Sequence, residues 1–383
     1  MRRVGLYPGV LGVYWNLIEQ GERRAMSRCL ILDIGAGTLD ILYYSTEDEQ
    51  HYKAVVKSPI LVMEEKARGL LGNLLVTGGE MGGGAVSKVL TERARTEEVI
   101  VSASAAATLH HSLQRVQSWG IRVIEDSEAE ELRRSNKYSF LVFQDLDVER
   151  LKSIVEGFGI PFQFDILGIC AQDHGTPPEG VSHLDYRHQI FKASLDKNPF
   201  PHALLFRDSE IPPMFNRLRS IAESARFIPS KEIYVMDSGM AAILGGSMDS
   251  RTQAIERVLV LDIATSHTVG AILERGEIAG LFEYHTRDIT LEKLDALLIE
   301  LAEGTLNHDR ILQGGGHGAY IRKRAGKVAL KTIVATGPKR SLAQNSRFPM
   351  ILGSPLGDNM MTGTVGVLEA IRRRKNLSPI SYA

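Results

Sequence analysis

The segment Asp33-Ile34-Gly35-Ala36-Gly37-Thr38-Leu39-Asp40 sets an acid on each side of a glycine-bearing stretch. Glycine exposes backbone N–H groups with no side chain in the way, so such a turn can wrap the phosphates of a nucleotide. Thr38 adds a hydroxyl donor. Asp33, at the end of an apolar run, can hold the water shell of Mg²⁺. The plainer reading is a glycine hairpin that begins with an acid. A second copy follows later in the chain as Asp262-Ile263-Ala264-Thr265-Ser266-His267-Thr268. Matching the threonines makes the second turn one residue longer, and Ala264 stands where the first copy has Gly35.

Other chemistry-bearing residues are dispersed. Gln172-Asp173-His174-Gly175 follows an apolar run, at a strand end where α/β sites gather. A Gln or Asp there can orient or deprotonate an attacking water or hydroxyl. The alternative is an Asx-type turn that caps the strand. His267, His285 and His317 lack zinc-motif spacing, so hydrogen-bonded structural roles are favoured over contact with phosphate, or over a metal shared with Asp173 or His174. The glycine cluster Gly78–Gly84, before a predicted helix, offers a second anion site. No Gly-x4-Gly-Lys-Ser/Thr occurs, which argues against a P-loop NTPase. A Rossmann turn wants a helix straight after its glycines, whereas Leu39 to Tyr44 reads as strand. Arg372-Arg373-Arg374-Lys375 reads as a solvated helix end, and His110-His111 as surface.

The elements that must hold these residues alternate between the two periods. Cys29–Tyr44 and Val258–Leu273 each read as strand, turn, strand. A further strand is predicted over Ile60–Met63, then a helix over Glu64–Leu71 and a strand over Asn73–Thr77. Ala103–Trp119 reads as one helix, Phe164–Cys170 as a strand and Phe215–Ala225 as a helix. Strands Glu277–Tyr284 and Val328–Ala335, and the helices Leu291–Gly304 and Thr362–Arg374, complete the second half. The proline-rich stretch Thr176–Pro213 shows little periodicity and is predicted as a long loop or lid-like insertion. This alternation indicates α/β architecture, and the duplicated hairpin indicates two related halves.

The chain has 383 residues, which allows two or three domains. We expect an N-terminal extension at 1–27, disordered or bypassed by a start at Met26, a first half at 28–254 carrying the insertion, and a second half at 255–383. A formal net charge of -1 argues against a generic nucleic-acid or anionic-membrane binder. No apolar run is long enough to span a membrane, and two isolated cysteines, Cys29 and Cys170, fit a reducing cytoplasm. Two distant thiols exclude a cysteine zinc site and a cluster held by three thiolates.

The Asp33–Asp40 motif resembles the first phosphate motif of the actin, sugar-kinase and heat-shock-chaperone ATPase superfamily. Asp262–Thr268 is similar to its second phosphate motif. Thr336-Gly337-Pro338 falls where that superfamily has its adenosine loop, and Gly357–Gly363 before the last helix fits its usual ending. The resemblance covers about residues 28–374. It implies two ribonuclease-H-like halves flanking a cleft that binds ATP with Mg²⁺. By that resemblance Gly35, Ala36, Gly37, Thr38, Asp40, Thr265, Ser266, His267, Thr268, Thr336 and Gly337 contact nucleotide. Asp33 and Asp262 would hold Mg²⁺ through water, and Gln172, Asp173 or His174 would act on the acceptor. Gln172–Gly175, Phe282–Thr286 and Gly316–Ala319 also resemble a prokaryotic family labelled "pyruvate formate-lyase activating enzyme-like". Glycyl-radical activation uses three clustered cysteines, which this chain lacks. The expected function is ATP hydrolysis or phosphoryl transfer to a small acceptor, hydrolysis being favoured. The alternative is a non-catalytic nucleotide-responsive assembly or reactivation factor acting on a partner protein.

Overall fold

The computed structural model describes residues 28–47, 49–79, 84–110, 112–175, 177–178, 180–252, 255–322 and 332–383. The expected extension at 1–27 with its Met26 start, positions 80–83 of the glycine cluster, His111 and the beginning of the Val328–Ala335 strand lie outside them.

The first sheet begins with β1 (Arg28–Ile34), whose apolar run is buried almost throughout, as a central strand requires. It pairs antiparallel with β2 (Thr38–Ser45), which pairs antiparallel with β3 (His51–Lys57). A second, parallel sheet is inserted next, from β4 (Leu74–Gly78), β5 (Val99–Ser102), β6 (Arg122–Ile124) and β7 (Ser139–Phe143). The chain then returns to the first sheet through β8 (Phe164–Ala171), β9 (Leu205–Arg207) and β10 (Ser230–Asp237). The third sheet holds β11 (Arg257–Ile263), β12 (His267–Glu274), β13 (Glu277–His285), β14 (Gly316–Ile321), β15 (Ile333–Thr336) and β16 (Ile351–Leu352).

The first and third sheets repeat one topology. The order β3-β2-β1-β8-β10 matches β13-β12-β11-β15-β16, with two antiparallel pairings followed by two parallel ones in each. This is the ribonuclease-H-like arrangement, present twice around a cleft, and it gives the chain an actin-like ATPase fold. Helices Ser238–Gly246 and Thr362–Arg374 join the two sheets. The first packs on β11, and the second packs on β1 and β8. Their backbones touch, because a methyl on Gly245 would overlap the Thr362 carbonyl and one on Gly366 would overlap that of Ala241. One apolar core consequently runs from β1 through both helices to β12. The inserted sheet, in the order β6-β5-β4-β7, has its own core around Leu74, Val76, Val101 and Phe143.

Three sequence expectations change. Ile60–Met63 is not a strand but lies in the first turns of helix Pro59–Gly69, where Pro59 pre-sets the helical φ. The third strand is instead β3, an exposed edge whose weak alternation hides it. Ala103–Trp119 is two helices, Ala103–Leu109 and Leu113–Gln117, because Ser112 caps the second. The predicted lid at Thr176–Pro213 contains the fifteen-residue helix His183–Lys197. Its inward face is Arg187, Phe191 and Leu195, and an arginine in that stripe breaks the apolar periodicity.

Candidate functional site

The two hairpin turns are the same length. Gly35 N–H donates to the Thr38 carbonyl at 3.0 Å, and Ala264 N–H donates to the His267 carbonyl at 3.0 Å. Thr38 is therefore matched by His267, not by Thr268. The duplication extends beyond the hairpins. The Ser58 hydroxyl donates to the Gly35 carbonyl at 2.6 Å and its N–H to that of Gly37 at 3.2 Å. Thr286 repeats this on Ala264 (2.8 Å) and Ser266 (2.9 Å). The turns meet across the cleft, where a β-carbon on Gly37 would lie 2.8 Å from Thr265 Oγ1. A β-carbon on Gly35 would lie 3.2 Å from the Thr38 carbonyl, a contact a methyl can nearly accommodate, which is why Ala264 fits the second turn.

Between the halves lies a cavity of about 620 Å³. Asp33, Gly35, Ala36, Gly37, Thr38, Asp40, Gln172, Asp173, His174, Asp262, Thr265, Ser266, His267 and Gly337 all line it. Thr268 and Thr336 do not. Both are fully buried, with Thr268 Oγ1 3.0 Å from Thr286 Oγ1 and the Thr336 hydroxyl bonded to that of Thr362. Gly337 adopts φ +87°, and a side chain there would strike Asp262. The first turns of the two crossing helices, at Ser238-Gly239 and Thr362-Gly363, reach the cavity and direct their positive dipole ends into it. The helix Ala103–Leu109, which packs on the inserted sheet, contributes Thr108 and its C-cap His110 to the same wall.

Asp33, Asp40 and Asp262 gather at the floor. Burial raises all three, and repulsion from Asp33 pushes Asp40 and Asp262 further, giving about 6, 8 and 7 respectively. The Cys170 thiol hydrogen-bonds to Asp33, opposing the shift without cancelling it. Asp40 Oδ1 is buried with no hydrogen-bond partner. Three crowded carboxylates with an orphaned oxygen are a donor set suited to a hard divalent cation such as Mg²⁺.

Asp173 sits in the wall with both oxygens engaged. Oδ1 accepts from Gly175 N–H at 2.8 Å and Oδ2 from Leu218 N–H at 3.0 Å, the Asx-type arrangement. Burial nevertheless outweighs these bonds and raises its pKa. The Gln172 amide donates to Glu283 Oε1 at 2.6 Å. Arg187 ties the two halves together. It donates to the Asp173 carbonyl (3.0 Å), Asp237 (2.9 Å) and Glu283 (3.1 Å). Burial works against the Glu283 charge, but Arg187 and the His317 hydrogen bond hold its carboxyl well below the usual range. Arg217 forks onto Asp145 at 2.8 and 3.0 Å and donates to the Gln172 carbonyl at 2.9 Å.

Four histidines from distant parts of the sequence converge beside the second turn. His317 Nε2 lies 3.2 Å from His285 Nε2, and the His267 and His317 ring centres are 4.7 Å apart. His174 stacks edge-on against both at 5.9 and 5.7 Å. Burial lowers His267 to about 3 and His174 well below its ordinary value, so both rings are neutral.

The model of a family described as "Putative pyruvate format-lyase activating enzyme (DUF1786)" matches residues 81–342. The chain belongs to that family. The family's description implies radical chemistry that these residues do not fit. Cys29 and Cys170 are both buried, on neighbouring strands, and Asp33, not Cys29, stands opposite Cys170. No curated protein matches the chain by sequence. Similar solved structures include a Bacteroides thetaiotaomicron protein with an actin-like ATPase fold and unknown function. It has 9% identity and a TM-score of 0.30, over 84% of this chain and 87% of that one. A ROK hexokinase from Thermus thermophilus has 13% identity and a TM-score of 0.30, over 91% and 99%. The ethanolamine utilization protein EutJ from Carboxydothermus hydrogenoformans has 10% identity and a TM-score of 0.27, over 93% and 97%. Among the described residues no helix is long and apolar enough to cross a membrane.

In this family member, the residues that bridge the halves escape sequence reading. Arg187 lies in the stretch predicted as a loop. Glu283 carried one available signal, an acid inside the buried apolar run of the strand Glu277–His285. Thr286 ends the Phe282–Thr286 motif without a role assigned to it, and Ser58 carried no signal, because the part each plays is recognisable only beside the turn it fastens.

Proposed function

We propose that the cleft binds a nucleoside triphosphate, ATP by the superfamily resemblance, as its Mg²⁺ complex. Its phosphates would lie between the turns 35–38 and 264–267. The observation that carries this reading is the meeting of the duplicated turns beside three crowded carboxylates, Asp33 and the buried Asp40 and Asp262, with one oxygen of Asp40 orphaned. Asp33, Asp40 and Asp262 would hold Mg²⁺ directly or through water, and bound Mg²⁺ would neutralise phosphate charge. Backbone N–H groups of the first turn and the helix ends at Ser238 and Thr362 would orient the phosphate oxygens. Gly337 and Asn359, whose amide donates to the Gly337 carbonyl at 3.1 Å, would border the adenosine. Gln172, which lines the cavity with its amide held by Glu283, would contact the acceptor or water. On this reading the halves 28–254 and 255–383 close over nucleotide, and the γ-phosphoryl group passes to water or to an acceptor hydroxyl, leaving ADP with inorganic phosphate or a phosphorylated acceptor.

A second reading has a specific observation behind it. Asp173 spends both oxygens on backbone N–H groups, so it is not free to act as the base. A nucleotide-responsive module acting on a partner protein needs no such base. Thermal unfolding with ATP, ADP and a non-hydrolysable analogue, each with and without Mg²⁺, tests binding, because a ligand raises stability by mass action. A Mg²⁺-dependent shift with turnover supports the enzyme, and a shift without turnover supports the module. No shift at millimolar nucleotide removes both.

A further inference from the structure

We propose that His174, His267 and His317 form a binding site for one divalent transition-metal ion of the zinc class, set in the cleft wall beside the second turn. One candidate ligand atom from each of the three lies within 4.8 Å of the other two. Tetrahedral zinc places its nitrogen ligands about 3.4 Å apart, so ring movements of about 1 Å close the site. The rings come from the segment just after β8 and from the starts of β12 and β14, so two strands and a turn anchored at a strand end fix their positions. All donors are imidazoles, which suit zinc and its neighbours and not Mg²⁺ or Ca²⁺. This ion is thus distinct from any held by the aspartates.

Two observations point to a ligand and away from a cluster held only by hydrogen bonds. His267 Nε2 is buried with no hydrogen-bond partner, an uncompensated cost that a metal bond removes. His317 Nδ1 faces Glu283 Oε1 at 3.4 Å, the carboxylate–histidine arrangement that turns the other ring nitrogen toward an ion. Glu283 is itself fixed by Arg187 and Gln172. His285, 3.2 Å from His317 Nε2, would give up that contact when the ion binds. His174 and His267 line the cavity, whereas His317 is only 8% exposed. The remaining coordination position therefore opens on the cavity, where a water, a carboxylate or a phosphate oxygen of the substrate would bind. Three protein ligands and one open position is the pattern of catalytic zinc.

The site shares His267 with the turn of the nucleotide reading but is tested without nucleotide, so failure of one is distinguishable from failure of the other. Untagged full-length protein is stripped of metal, dialysed against limiting zinc and analysed by elemental mass spectrometry. Co²⁺ serves as the optical probe. We expect one zinc retained per chain and the intense visible bands of tetrahedral Co²⁺. His267→Ala and His174→Ala should each lose both signals, while His51→Ala, at an exposed histidine on β3, keeps them. Circular dichroism confirms the fold of each variant. His174 follows its strand and does not lie within a sheet, so its variant reports even if His267→Ala unfolds. Wild type without stoichiometric metal, or folded His174→Ala retaining as much as wild type, overturns the proposal.

Discussion

Thr38 and His267 occupy the same place in the two halves of this protein, each accepting the 3.0 Å hydrogen bond that closes its hairpin turn. One half presents a hydroxyl to the cleft and the other an imidazole. The duplication thus preserved the backbone of the turn and changed its chemistry.

The equivalence makes the two glycines of the first turn unequal. Gly35→Ala copies what Ala264 already is, so nucleotide affinity should stay within about threefold. Gly37→Ala drives a methyl into Thr265 Oγ1 and should weaken ATP binding about tenfold or more, about 1.4 kcal/mol. Calorimetric titration of ATP with Mg²⁺ compares the two, and equal losses would contradict the arrangement of the turns.

Asp40→Asn tests the acidic floor. With its carboxyl raised to about 8, Asp40 is largely protonated at neutral pH in the metal-free protein, and an amide mimics that form. Stability should change by under about 1 kcal/mol, while the Mg²⁺-dependent part of the nucleotide thermal shift disappears. Asp33→Ala should abolish the same Mg²⁺ response.

Arg187 is the buried cation shared by Asp237 and Glu283. Arg187→Ala leaves two buried carboxylates without their partner and should cost about 3–5 kcal/mol in urea denaturation. Arg187→Lys should recover little of this, because an ammonium lacks the fork that reaches both acids and the Asp173 carbonyl.

Glu369 sets an acid limb on stability. Burial disfavours its charge, but hydrogen bonds from Arg372 and Arg373, each 2.7 Å, outweigh that and lower its pKa. A depressed carboxyl stabilises the fold fully above its unfolded pKa, near 4.5, and loses that contribution as pH falls through the folded value. The stability gap between wild type and Glu369→Gln should therefore be constant from pH 7 to about 5 and close at lower pH. A gap that persists into strong acid would show that Glu369 acts by shape alone.

How much was legible follows the range of the interactions. The Asp33–Asp40 turn, the second copy at Asp262 and the closing helix Thr362–Arg374 are local patterns of period and turn chemistry, and they stand in the structure where the sequence puts them. The matching of the turns was legible only in part. Pairing like residues aligned Thr38 with Thr268, whereas the backbone hydrogen bonds align it with His267. Thr268 is committed to Thr286, and Thr336 to Thr362, so neither reaches the cavity.

The amino-acid order by itself determined two related halves, a glycine turn after a buried strand with a glycine-free second copy, and the lack of the three thiolates that radical activation requires. Each of these is a property of neighbouring residues or of a count. The tertiary structure alone decided that Arg187 would pin Glu283 across the cleft. It also decided that His174, His267 and His317 would share one small volume, and that a helix packed on a separate parallel sheet would wall the cavity. Those relations join residues far apart in the chain. They are created when burial forces charged and polar groups to find partners, and burial is settled only when the sheets and the two crossing helices pack together.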